Sequence, residues 1–84
     1  MASLDELIQE IQGVVDQIEQ TVNSVGGVEN SAEELQSQFS ALGVEDKAQH
    51  MSQVKDGADQ VRSQLQGAAD SAKELISQVE AAKG

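Results

Sequence analysis

From Leu4 to Leu42, apolar side chains recur at spacings of three and four residues: Leu4, Leu7, Ile11, Val14, Ile18, Thr21, Val25, Val28, Ala32, Leu35, Phe39, Leu42. Thr21 alone breaks the apolar run. After Gly43 the rhythm resumes with Val44, Ala48, Met51, Val54, Ala58, Val61, Leu65, Ala68, Ala72, Leu75, Val79, Ala82. A repeat averaging about 3.5 residues keeps these positions on one stripe of a helix that faces a partner, as in a coiled coil. Two stripes of equal length that meet at a glycine predict a reversal at Leu42, Gly43 and Val44. The expected fold is all-α, an antiparallel helical hairpin of two long helices, about 4–42 and 46–82, forming a single domain over residues 1–84.

Pairing the two stripes outward from the turn gives a nearly constant register that tends to set large against small, Ile18 facing Ala68 and Val14 facing Ala72, which suits closely packed helices. The punctuation agrees. Ser3-x-x-Glu6 reads as a capping box, Gly43 suits the left-handed position after a helix, and Asp46-x-x-Gln49 resembles a cap for the second arm. Gly26-Gly27 is the local objection, costing roughly 2 kcal/mol relative to Ala in a helix interior, and Ser31-x-x-Glu34 follows as another capping box. Two alternatives stand: a continuous or gently kinked first arm, favoured because the stripe passes through without a phase change, or a break that gives three helices.

The chain has 84 residues, a single aromatic side chain in Phe39, no Cys and no Pro. It is too small for a separate cofactor domain and too poor in bulky side chains for a thick core. The net charge of -10 repels nucleic-acid phosphates and anionic membrane surfaces. No apolar run is long enough for a transmembrane segment, and the N-terminal residues lack a basic signal-peptide region. The expectation is a soluble cytoplasmic chain, with export without a cleaved signal peptide as the alternative. All five cations lie beyond Gly43, so the first arm finds opposite charge only on the second.

Catalytic parts are few. His50 has Asp46 four residues earlier, on one helical face, but two groups do not make a metal site. Adjacent carboxylates such as Glu33-Glu34 point about 100° apart on a helix, and Asp5-Glu6 fits a first turn, where negative charge complements the dipole. No phosphate-binding loop, dinucleotide fingerprint or zinc-protease motif occurs. The reading is no enzyme, no metal, no cofactor and no small-molecule substrate.

A second stripe of Ile8, Val15 and Val22 on the first arm and Ala69 and Ile76 on the second is surplus to the expected contact between arms. These five residues are the candidate interface, on a flank covering the open end of the hairpin. Pairing two hairpins there makes a four-helix bundle, as a homodimer or as a heterodimer with a similar hairpin. Nearer the turn the same stripe carries Glu29 and Lys55, expected to form an ion pair between the arms.

Two long helices around a glycine turn resemble the WXG (Esx-type) family of helical hairpins exported by type VII secretion. Its Trp-Xaa-Gly turn motif aligns with Ala41-Leu42-Gly43, where Gly43 matches and Ala41 stands in the Trp position; the C-terminal Tyr motif of that family has no counterpart. The resemblance implies a hairpin dimer, similar to a type VII secretion substrate, that acts by binding rather than catalysis. The functional expectation is a non-enzymatic protein–protein interaction module. The alternative is an amphipathic lipid- or surface-binding helical protein, which the acidic charge and the lack of Trp anchors disfavour.

Overall fold

The computed structural model describes residues 3–84. They form two α-helices, α1 (Leu4–Ala41) and α2 (Glu45–Lys83), packed side by side as an antiparallel rod of 63 × 15 × 15 Å.

Local chemistry sets the ends. Ser3 is the N-cap of α1, and its Oγ accepts a hydrogen bond from the Glu6 N–H at 3.1 Å, satisfying a donor that has no partner within the helix. Gly43 ends α1 with a φ of 76°, a conformation that strains any residue carrying a Cβ. The Gly43 N–H donates to the Ser40 carbonyl at 3.1 Å and the Val44 N–H to the Phe39 carbonyl at 2.8 Å, the two bonds of a Schellman ending. The reversal thus falls on Leu42, Gly43 and Val44. The second helix starts slightly earlier than expected, with Val44 rather than Asp46 as N-cap, because the Val44 carbonyl already accepts from the Ala48 N–H at 3.1 Å. Valine has no acceptor side chain. Instead, Glu45 and Asp46 place negative charge in the first turn of α2, where the helix dipole favours it.

The Lys47 ammonium braces the turn from 5.7 Å above the Phe39 ring centre. At the open end the Lys83 Nζ donates to the Asp5 carboxylate. That hydrogen bond, then the charge of Asp5, holds the ammonium above its ordinary pKa of 10.5. A raised lysine pKa keeps this small contribution intact through neutral pH and loses it only as pH climbs through the alkaline range.

The first arm passes through Gly26-Gly27 as uninterrupted helix, so the three-helix alternative falls away. Val25 before them is half-buried and Glu29 after them is buried, and this anchoring against α2 offsets the glycine cost. A Cβ at Gly27 would meet nothing within 4 Å. Gly27→Ala should therefore stabilise the protein by about 1 kcal/mol, seen as a higher thermal midpoint by circular dichroism. A lower midpoint would contradict continuous helix at this position.

The rotation of the arms departs from expectation. The apolar stripe of each helix is three columns wide, each column repeating every seven residues. In α1 the middle column is Leu4, Ile11, Ile18, Val25, Ala32 and Phe39. On one side of it runs the inner column, Ile8, Val15, Val22, Glu29 and Gln36. On the other runs the outer column, Leu7, Val14, Thr21, Val28, Leu35 and Leu42. In α2 the middle column is Met51, Ala58, Leu65, Ala72 and Val79, the inner Ala48, Lys55, Arg62, Ala69 and Ile76, and the outer Val54, Val61, Ala68, Leu75 and Ala82. Apart from Leu4 at the open end, the middle and inner columns are buried or half-buried, whereas every outer-column residue is exposed.

In a molecule of two helices only the other helix can bury a side chain, so the arms meet through their middle and inner columns. Ile8, Val15, Val22, Ala69 and Ile76, expected on an external flank, line this contact instead, with Val15 only 1% exposed. The expected pairs Ile18–Ala68 and Val14–Ala72 do not form, because Ala68 and Val14 face solvent. Relative to the expected packing, each helix is turned by roughly 50° about its axis, half the angular step of one residue. Two features favour this rotation. The inner columns bring Glu29 of α1 towards cations of α2, and the small side chains of Ala48 and Ala69 let the helices approach closely.

Candidate interaction surface

The contact between the arms changes character along the rod. Towards the open end its inner column is apolar, with Ile8, Val15 and Val22 against Ala69 and Ile76. Towards the turn it is polar. Glu29 and Lys55, expected to pair with each other, take other partners. Arg62, one heptad beyond Lys55, comes within 3.5 Å of the Glu29 carboxylate and also pairs with Asp59 at 3.0 Å. Lys55 meets Glu33 at 3.4 Å. The difference arises because the true register runs several residues beyond the expected one. Glu29 is 9% exposed and its Oε1 has no hydrogen-bond partner, so this buried charge depends on Arg62. Such a pair specifies register more than it stabilises.

The rotation that buries the inner columns leaves the outer columns uncovered. Because the arms run in opposite directions, an equal turn on each puts both outer columns on the same flank. Leu7, Val14, Val28, Leu35, Leu42, Val54, Val61 and Leu75 all stand there, between 39% and 75% exposed. The register of the cross-arm ion pairs sets Val14 at the height of Leu75, Val28 at that of Val61 and Leu35 at that of Val54. These eight aliphatics together present on the order of 700 Å² of surface, more than the roughly 300–600 Å² of the largest patch on a typical monomer.

The electrostatics of this flank are distinctive. The columns that border it are Glu10, Gln17, Ser24, Ser31 and Gln38 on α1, and His50, Gly57, Gln64, Ser71 and Gln78 on α2. Of the fifteen carboxylates and five cations in the chain, this face carries only Glu10, near the open end, and Lys47, at the turn. The remaining charges lie on the other columns. The flank is thus an apolar strip running nearly the length of the rod, edged mainly by Gln and Ser side chains. Its apolar centre can exclude water, and its Ser and Gln border can donate and accept hydrogen bonds.

The opposite flank carries an open cleft of about 400 Å³, lined by Glu19, Val22, Asn23, Gln66, Ala69, Asp70 and Lys73. The Glu19–Lys73 ion pair, at 3.5 Å, spans it. Both Asp46 and His50 are exposed. Among the described residues there is no cluster of three or more His, Cys, Asp or Glu that could hold a metal ion. No described helix is long and apolar enough to cross a membrane.

The outer column was visible in the sequence as half of the expected contact between the arms. Its exposure was not foreseen, because middle-plus-outer and middle-plus-inner columns share the same three–four spacing. The distinguishing signal was the opposite charges at comparable heights of the two inner columns, Glu29 on one and Lys55 and Arg62 on the other. They mark columns that face each other. Comparison with known proteins adds no further constraint, since no family model, curated protein or solved structure matches the chain.

Proposed function

We propose that this chain is a non-enzymatic protein–protein interaction module: a small acidic hairpin that self-associates or pairs with a similar hairpin by covering its outer-column flank. The observation that carries this reading is the exposed strip of eight aliphatic side chains. A two-helix layer that needed no partner would place polar residues there. Its own core is thin, since among the described residues four of the six buried ones are alanines and Val15 is the one larger apolar side chain with them, and association is one of the ways a domain this small completes its core. Docking a second helical layer onto the strip completes a four-helix bundle.

The architecture shared with WXG hairpins supports binding over catalysis. Export is no part of the proposal, since Gly43 alone represents that family's turn motif. The border, made mainly of Ser and Gln side chains with no Lys, Arg or Trp, supports a protein partner over a lipid surface, which amphipathic helices usually engage with Lys, Arg and Trp.

Thermal unfolding followed at increasing protein concentration tests the self-associating form. Association stabilises the folded state by mass action, so the midpoint should rise with concentration. A midpoint that stays constant would leave pairing with a different hairpin as the surviving form.

A further inference from the structure

We infer that the occupant of the outer-column flank is a second copy of this chain, docked upside down with its turn over the open end of the first. This rests on the interaction reading above and names its partner.

Area comes first. A rod 63 Å long and 15 Å wide offers roughly 900 Å² per copy on one flank, close to the 800 Å² or so per partner of a standard stable interface. Charge comes second. Two chains of net charge -10 repel each other over most of their surfaces, but on this flank only Glu10 and Lys47 are charged. A like-charged copy can therefore approach here without burying carboxylates.

The orientation follows from two independent features. Glu10 lies near the open end and Lys47 beside the turn, so inversion brings the negative end of each face over the positive end of the other, whereas docking with both turns at one end stacks like ends together. Side-chain size points the same way. At one level of the strip the outer columns carry only Thr21 and Ala68, and one heptad nearer the turn they carry Val28 and Val61. With both turns at one end, two Thr and two Ala meet in a single layer and leave a void. Inversion sets Thr21 against Val28 and Ala68 against Val61, so each small pair meets a larger one, as close packing requires. The two-fold axis then passes between these levels, and Val14 of each copy lies across from Leu35 of the other.

The chain has no cysteine, so single cysteines report this geometry without background. One preparation carries Val14→Cys and another Leu35→Cys, both at exposed positions that the hairpin does not bury. The two are mixed, oxidised and analysed by mass spectrometry, after sedimentation of the reduced mixture. The inverted pair predicts a disulfide-linked heterodimer in about tenfold excess over either homodimer, because two copies of position 14 lie about 31 Å apart in it, beyond disulfide reach. Efficient linkage of Val14→Cys to a third preparation, Leu75→Cys, would overturn the inverted orientation. A reduced mixture that is monomeric at about 100 µM, a concentration at which even weak pairs form, would overturn the second copy as occupant. A hydrophobic dye bound by that monomer would leave the interaction reading standing, and its absence would remove both.

Discussion

Val28→Glu combined with Val61→Glu should turn the associated protein into a monomer while leaving the hairpin helical. Both valines stand on the outer columns at the same height, 51% and 45% exposed, so within one hairpin the new carboxylates reach into water and cost little. Association changes the environment. Covering this flank would bury four carboxylates per dimer at the middle of the strip, with no cation on the face except Lys47 near the turn. An unpaired buried charge costs several kcal/mol. Even after the side chains relax towards the edge of the interface, a loss of about 4 kcal/mol per dimer weakens association roughly a thousandfold. Sedimentation equilibrium should give a mass near 8.9 kDa, with the far-ultraviolet spectrum still that of a helical protein at low temperature. A variant that keeps the mass of the parent would show that the outer column is not the interface.

The second large effect separates two neighbouring residues. Val15→Asp should unfold the hairpin, whereas Val14→Asp should keep it folded. Aspartate has the same intrinsic helix cost at either position, so the comparison isolates what each side chain faces. Val15 is 1% exposed and lies between the arms, while Val14 is 49% exposed on the outer column. At position 15 the substitution removes about 1.5 kcal/mol of apolar burial and leaves a carboxylate in a dry contact, adding several kcal/mol more. That sum approaches the whole stability expected of a chain this size, about 0.05–0.15 kcal/mol per residue. At position 14 the hairpin loses little, and the damage falls on association. Circular dichroism at 222 nm should show helix lost in Val15→Asp alone. The reverse pattern would restore the packing in which Leu7, Val14 and Val28 face the second arm.

Much of the architecture was legible because it depends on period and punctuation. The three–four spacing, the equal arms and Gly43 predict two helices and one reversal, and the Schellman ending realises that turn. The continuity of α1 across Gly26-Gly27 was legible too, since the stripe keeps phase through both glycines. Rotation was harder to read. Three adjacent columns offer two contact faces with identical spacing, and an apolar count favours the outer column, which lacks the Glu29 and Gln36 of the inner one. The mixed column forms the contact because Ala48 and Ala69 take little room and let the helices approach, while the Glu29–Arg62 pair across it fixes the register. Those advantages exist only once the two arms are together. The candidate surface moved with the rotation: Ile8, Val15 and Ile76 went inside, and Val14, Val28 and Leu75 came out. The polar columns containing Ser24, Gly57 and Ser71 read in isolation as an ordinary solvated flank; beside an exposed apolar strip they become its border.

Whether this hairpin leaves its outer flank uncovered for a protein partner and closes it with a second copy is read from the mass of the unmodified chain by sedimentation equilibrium from low to high micromolar concentration. The mass should approach twice 8.9 kDa as concentration rises. A well-folded, fully helical species that stays at the monomer mass throughout would contradict closure by a second copy.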